Sequence, residues 1–477
     1  MVRIGAMSSI GPNILLIVID DLGWNDLACY GSGFYETPAL DRLAGQGMRF
    51  TDAYASCPVC SPSRASIMTG KYPATIGITD WIDWGGRLHP ARGRVIDVPY
   101  LKELPHREHT IARALKARGY ATWHVGKWHL GGPASRPEDH GFDVNVGGCE
   151  AGCPSTYFAP WKIRTLPDAE VPVGTYLTDH LTDRAIDLIE RRDPNQPFFM
   201  NLWHYAVHTP IQAPEPLVQK YRDKARAMGL DRVKAYEEGE YFPCDHKRNQ
   251  RVVRRRVQSD PVYAAMIENL DTNLGRVLAA LETAGIADNT LVVFTSDNGG
   301  LATAEGSPTC NAPMTEGKGW MYEGGTRVCQ IVRWPGRVAP GSVCPVPVTS
   351  PDLYPTLLDV AGGGLLPEQH VDGVSLLPVL TGTGGLNREA IFWHYPHYGN
   401  QGGTPGCSVR MGNFKLIERF EDGCLELYDL RSDVEERHNL ASADPDRAAT
   451  LHKALVEWRG KVEAKMPVRN PDYRRYV

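Results

Sequence analysis

Long apolar runs are missing from this chain. The longest near its start, Ile14–Ile19, is six residues and ends in Asp20-Asp21, whereas a bilayer-spanning helix needs roughly 20. No membrane helix is expected. The opening Met1-Val2-Arg3 also lacks the apolar stretch and small-residue cleavage site of a secretory signal, so the expected compartment is the cytoplasm unless a signal has been trimmed. A strong charge of one sign is absent as well. Fifty-one Lys and Arg against 56 Asp and Glu leave −5, which argues against a general nucleic-acid binder and makes any affinity for a polyanion local. Cysteine is sparse and odd in number, eleven in 477 residues. A chain of this length needs no disulfide staples, so most of these thiols are expected to be reduced and buried. Cys149 and Cys153 stand close enough to pair, and the sequence alone leaves that open. There are no internal repeats or low-complexity tracts.

What is present is enough apolar residue, 42% against 22% charged, to build a full core rather than a disordered chain. The length suits one large domain and a smaller one. Asn13–Ile19 is continuous, β-branched and apolar, as in a central parallel strand buried on both faces. Its carboxyl end delivers Asp20 and Asp21. Thr37 as cap and Pro38 in the first turn predict a helix up to Ala44, stopped by Gly45 and Gly47. Thr110–Arg118 reads as another helix, followed by Gly119 and a strand over Tyr120–Val125. From Pro261, apolar residues Ile267, Leu270, Leu274, Val277, Leu278 and Leu281 recur at helical spacing up to Gly285. Leu291–Thr295 is a second buried strand, and it ends in Ser296-Asp297-Asn298-Gly299. Alternating strands and helices predict a parallel sheet covered on both faces, which binds ligands at its carboxyl edge. Past Gly382–Gly385 the pattern changes. Ser408–Ile417 and Cys424–Leu430 read as short antiparallel strands and Asp446–Val462 as a closing helix, which divides the chain into residues 1–385 and a smaller C-terminal subdomain over 386–477.

Cys60-Ser61-Pro62-Ser63-Arg64 allows a plain reading, a buried cysteine ahead of a proline-initiated helix. Cys57-Pro-Val-Cys60 offers a redox pair instead, although the surrounding prolines spoil the thioredoxin-like context. Cys60, Pro62, Ser63 and Arg64 complete the C-x-P-S-R signature. Four further segments follow in order: Gly126-Lys127-Trp128-His129-Leu130-Gly131, Ala206-Val207-His208-Thr209-Pro210, Ser296–Gly299 and Gly317–Gly325. Together with Ile19-Asp20-Asp21 they make the chain resemble the type I, formylglycine-dependent sulfatases, relatives of alkaline phosphatase, over nearly its whole length. Lys71 departs from the pattern, since many relatives carry Arg there; the change is conservative. The resemblance implies an α/β fold with a large, mostly parallel, alkaline-phosphatase-like sheet sandwiched by helices and a smaller C-terminal α+β subdomain.

Sulfate ester hydrolysis requires a nucleophile, clamps for anionic oxygens and an acid for the leaving alkoxide. By resemblance, Cys60 is oxidised to formylglycine by the formylglycine-generating enzyme and hydrated to a gem-diol. One hydroxyl attacks sulfur, and the other, deprotonated by His129, expels sulfate from the sulfated enzyme. Arg64 corresponds to the residue steadying the hydrated aldehyde, Lys127 and Lys318 to the two that grip sulfate and the leaving oxygen, and His208 to the donor or leaving-oxygen contact. As isolated residues the lysines would be surface charges and His208 a satisfied core histidine. Asp20, Asp21, Asp297 and Asn298 supply hard oxygen ligands from two strand ends, suited to Ca²⁺, with Mg²⁺ as the alternative, rather than zinc. Asp20-Asp21 by itself could merely cap a helix; the matching Asp-Asn at a second strand end points to a metal.

Trp81, Asp83, Trp84, Arg87, His89, Arg92 and Arg94, with Trp203-His204, suit either a sugar-binding rim or packed aromatics. Lys247–Arg256 carries six basic residues in ten positions, either a solvated face or a guide for a polyanionic glycan. The expected activity is removal of sulfate from a sulfated carbohydrate or similar small ester. The alternative is a phosphodiesterase or phosphonate monoester hydrolase of the same superfamily. Neither nucleic acid nor membrane is an expected partner.

Overall fold

The computed structural model describes residues 11–83 and 91–473. Asn13–Ile19 is wholly buried at the centre of the main sheet. Its alternation sends Leu15, Ile17 and Ile19 into one core with Leu40, Leu43, Leu181 and Leu274. Ile14, Leu16 and Val18 enter another, with Ile67, Met68, Leu115 and Leu357. Helices cover both faces, so an unbroken apolar strand is what the position requires. Fully burying each such aliphatic side chain is worth about 1.5–3 kcal/mol.

The strands run in the order Ser342–Cys344, Met48–Tyr54, Arg327–Arg333, Thr290–Ser296, Asn13–Ile19, Phe198–His204, Ala121–Gly126 and Val144–Val146. The five from Thr290–Ser296 onward are parallel to one another. Arg327–Arg333 runs antiparallel to both strands beside it. Ile19 pairs with both His204 and Ser296, and Gly126 with Trp203. Four strands therefore end level, and the residues just beyond them share one edge.

Helix Pro38–Gln46 starts as expected, but Thr37 does not cap it. The Thr37 hydroxyl is taken by Ala28 N and Asp41, and the free N–H groups of Ala39 and Leu40 donate to Asp271 on the helix Pro261–Thr283. A partner distant in sequence has replaced the local cap. Thr110 does cap its helix, accepting from Arg113 N. Ser408–Ile417 proves to be parts of two strands, Gly406–Met411 and Phe414–Arg419, because Gly412 takes φ +57° and turns the chain. With Ala390–Tyr395 and Leu425–Asp429 they form a separate antiparallel sheet, against which helix Pro445–Lys461 packs through Leu451, Leu455 and Trp458. Among the described residues no helix is long and apolar enough to cross a membrane.

The small sheet is fastened to the larger one by buried charge. Lys415 Nζ lies 2.9 Å from Glu323 and 3.0 Å from Glu436, and Glu323 also accepts from Arg327 and Tyr54. Burial raises the Glu436 carboxyl, Lys415 pulls it down and Glu323 pushes it up again, leaving it above the ordinary range. Replacing Lys415 by Met leaves two crowded carboxylates, an expected loss of about 3–5 kcal/mol in urea unfolding. A raised carboxyl pKa means that the folded state holds the extra proton, so stability falls as pH rises through that pKa. The deficit of the Lys415→Met protein should be larger at pH 8 than at pH 5; equal deficits would exclude this account.

Candidate functional site

Each candidate side chain leaves the same sheet edge. Asp20 and Asp21 follow Asn13–Ile19, Lys127 follows Ala121–Gly126, and Asp297 and Asn298 follow Thr290–Ser296. Backbone bonds lock the crossovers: Asp20 N donates to Ala206 O, Val207 N to Asp20 O, Lys127 N to Trp203 O and Asp297 N to Ile19 O. Gly126 has φ +106°, and a Cβ there would lie 1.9 Å from Trp203 O, so only glycine delivers Lys127. Asp21 and His129 hold left-handed φ of 61° and 56°, a strain that ordinary residues accept where surrounding structure over-determines it, commonly at functional sites.

Cys60 begins the helix Cys60–Thr69, with its Sγ 3.6 Å from Asp20 Oδ1 and 4.0 Å from Asp21 Oδ1. Three cations answer three carboxylates around it. Lys127 Nζ donates to both oxygens of Asp20 at 2.8 and 2.7 Å, Lys318 Nζ to Asp21 at 2.8 Å, and Arg64 Nε to Asp297 at 2.8 Å. Burial pushes the Cys60 thiol up, yet Lys127 and Lys318 outweigh it and hold it below its usual value. Burial likewise raises Asp20 and Asp297, against Lys127 and Arg64 respectively. Asp21 is held well below the carboxylate range, since Lys318 and His208 overcome its burial.

The two histidines differ. His129 Nε2 faces Ile82 O at 3.0 Å, while its buried Nδ1 has no hydrogen-bond partner among the described residues. Burial, then Lys127, holds His129 well below its ordinary pKa, so it is a neutral imidazole with one nitrogen available. His208 Nδ1 faces Thr209 O, and its Nε2 lies 2.9 Å from Lys318 Nζ and 3.5 Å from Asp21. Burial and Lys318 lower it, but Asp21 and Asp20 prevail and raise it to about 10.

Asp297 accepts from Asp21 N at 3.2 Å, which ties the second strand end to the first. Asn298 Nδ2 donates to Asp21 at 2.8 Å, and its buried Oδ1 has no partner among the described residues. Asp20, Asp21, Cys60 and His208 offer ligand atoms within 4.8 Å of one another. Within this group the hard oxygens are those of Asp20 and Asp21, and with the Asn298 amide oxygen beside them they suit a hard divalent ion.

The site opens into a pocket of about 330 Å³, with Cys60, His129, His208 and Lys318 within it and Trp81, Glu150, Gly152, Cys153, Glu305, Asn400 and Gln401 around them. Trp81 thus belongs to the rim, whereas Trp203 and His204 are fully buried. Trp203 lies beneath the Arg64 guanidinium, 5.2 Å from its ring centre, and packs the site from behind. Arg94 turns away to Asp422; Trp84, Arg87 and His89 lie outside the described residues. The other wall residues belong to no motif, and only folding brings Asn400 and Gln401 to the site. All eleven cysteines are free, Cys57, Cys149 and Cys153 included. Three of the six basic residues in the run are paired, Arg254 with Glu240 and Glu316, Arg255 with Asp260 and Arg256 with Glu237, whereas Lys247 and Arg251 donate to the backbone carbonyls of Asn400 and Gly239.

Comparison with known proteins gives the family. The Sulfatase family profile matches residues 12–363, and that of the N-sulphoglucosamine sulphohydrolase C-terminal region matches 316–461. A sulfatase of Formosa agariphila is 32% identical over 94% of this chain and 88% of its own. Human N-acetylgalactosamine-6-sulfatase is 32% identical over 80% of this chain and 68% of its own. The crystal structure of Ps i-CgsB, also solved with k-i-k-neocarrahexaose, superposes with TM-score 0.74 at 27% identity, covering 97% of this chain and 94% of the other. A phosphonate monoester hydrolase of Agrobacterium radiobacter, at 21% identity and TM-score 0.66, shares the fold alone. With the profile covering most of its length and relatives at this identity, the chain belongs to the sulfatase family, and its activity is the hydrolysis of sulfuric esters.

Proposed function

We propose that this protein removes sulfate from a sulfated carbohydrate, with Cys60, matured by a formylglycine-generating enzyme, as the nucleophile position. The observation that carries the reading is the convergence of Lys127, Lys318 and Arg64 around Cys60 at the floor of a pocket large enough for one sugar. The relative named for N-acetylgalactosamine 6-sulfate and the neighbour solved with a carrageenan oligosaccharide support the substrate class.

Asp20, Asp21, Asp297 and Asn298 would hold calcium or magnesium, a Lewis acid that lowers the pKa of a coordinated hydroxyl and stabilises charge on sulfate. Formylglycine at Cys60, once hydrated, contributes the hydroxyl nucleophile. Lys127 and Lys318 bind sulfate oxygens, and Arg64 keeps the nucleophile position oriented through its bond to Asp297. His208, beside Lys318 on the pocket side, holds a proton at Nε2 for the departing sugar oxygen. His129, neutral and with Nδ1 available, receives the proton whose removal releases sulfate. The segment 386–477 acts as a subdomain completing the pocket, since Asn400 and Gln401 lie on its wall.

The competing reading, phosphodiester or phosphonate hydrolysis, shares the strand-end metal site. Matched aryl sulfate and phosphodiester substrates separate the two, and kcat/KM is expected to favour sulfate; preference for the diester would overturn the proposal. Chelation should abolish turnover while far-ultraviolet circular dichroism is retained, and added Ca²⁺ should restore it. Full activity in excess chelator with no metal by elemental analysis would remove the cation from the mechanism.

A further inference from the structure

Three hydrogen bonds close a ring around His129. Ser61 Oγ donates to His129 O at 2.8 Å and accepts from Ile82 N at 3.0 Å, and His129 Nε2 lies 3.0 Å from Ile82 O. Ser61, Ile82 and His129 are all buried, so each of these bonds is made away from water. Ser61 occupies the open position of the C-x-P-S-R signature, one residue after Cys60 on the same helix. Ile82 follows Trp81 in the pocket wall. The rest of the histidine is fixed independently. Its N–H donates to Cys149 O at 3.0 Å, and Gly152 lies against the ring, where a Cβ would come within 2.7 Å of Cε1.

A carbonyl oxygen can only accept, so the bond to Ile82 requires the hydrogen of the neutral imidazole to sit on Nε2, and Nδ1 keeps its lone pair. We infer that Ser61 is a positioning residue: by holding Ile82 against His129 it selects the Nε2–H tautomer and leaves Nδ1 as the nitrogen that takes up the proton. This rests on the role proposed above for His129 and deepens it. One hydroxyl suffices because it donates and accepts at once. Without it the buried Ile82 N–H and one bond to His129 O are left unmade, a cost relieved by moving Ile82, and the carbonyl that fixes the tautomer belongs to the same residue. The group that selects the tautomer thus lies beside the nucleophile position and is joined to the pocket wall.

Two readouts test it on the full chain. The first needs no turnover. In protein still carrying the Cys60 thiol, proton–nitrogen correlation spectra of labelled histidine, with His129 assigned by its absence from His129→Ala, should place the ring hydrogen on Nε2. In Ser61→Ala it should divide between both nitrogens, and in Ser61→Thr, which keeps the hydroxyl, it should return to Nε2. The second readout uses matured enzyme and 4-nitrophenyl sulfate, with rates taken per formylglycine found by peptide mass spectrometry. Because the proton is taken up after the phenol has left, Ser61→Ala should release a burst of about one equivalent of phenol. Its kcat and KM should fall together by about tenfold, with kcat/KM held within about twofold. Ser61→Thr should behave as wild type. Ser61→Cys, which keeps the volume and weakens both bonds, should fall between the two and serves where Ser61→Ala does not fold. A ring hydrogen on Nδ1 in the wild type, a tautomer untouched by Ser61→Ala, a loss confined to kcat/KM, or no recovery in Ser61→Thr would each overturn the inference. A burst in His129→Ala but not in Ser61→Ala would overturn it alone, whereas no burst in His129→Ala would refute the role of His129 and this inference with it.

Discussion

Purified Cys60→Ala protein is expected to turn over no sulfate ester and to unfold close to the wild-type urea midpoint. The two halves of this result have separate causes. Cys60 is buried at the first residue of its helix, where its Sγ contacts Asp20 and Asp21 only at 3.6 and 4.0 Å. Removing it leaves the three cation–carboxylate pairs intact and costs little more than the buried sulfur, about 1 kcal/mol. Alanine offers nothing to attack sulfur, so no route remains through the remaining site. Intact-peptide mass spectrometry of the wild-type protein checks the same residue independently, because conversion of the thiol to the aldehyde lowers the mass by about 18 Da. Wild-type activity in the Cys60→Ala protein would refute the nucleophile assignment.

Lys127→Ala and Lys318→Ala should each lower kcat/KM by at least about 2–4 kcal/mol, as loss of a donor to developing negative charge does elsewhere. Because the gain is made in the transition state, kcat should fall with kcat/KM. The structure separates the two. Lys318 stands 2.9 Å from His208 Nε2 and faces the pocket, whereas Lys127 lies deeper, with its ammonium on both oxygens of Asp20. Lys318→Ala should therefore matter less for an aryl sulfate, whose phenolate leaves readily, than for an unactivated sugar sulfate; Lys127→Ala should hurt both alike. Each substitution also strips a buried carboxylate of its partner, so unfolding and formylglycine content must be measured beside the rates. Rates within a few-fold of wild type on both substrates would remove these lysines from the sulfate clamp.

The sequence by itself determined the central strands, because Asn13–Ile19 and Leu291–Thr295 are apolar without interruption and only burial on both faces accommodates that. It also placed Asp20-Asp21 and Asp297-Asn298 at their carboxyl ends. Asp20-Asp21, Asp297-Asn298, Gly126-Lys127 and the Cys60–Arg64 signature are local patterns, and residues that leave level strand ends meet without further instruction. Where the sequence was ambiguous, the outcome depended on partners far along the chain. Thr37 lost its capping role to Asp271, and three residues of the basic run, Arg254, Arg255 and Arg256, found partners in Glu237, Glu240, Asp260 and Glu316. Trp203 went to the core while Trp81 stayed at the rim. The tertiary structure alone decided the pocket wall, in which Glu150, Glu305, Asn400 and Gln401 come from segments with no shared motif. The physical reason is that strand periodicity and turn chemistry are written in neighbouring residues, whereas the surface that faces a substrate is a product of which loops the finished sheet holds side by side.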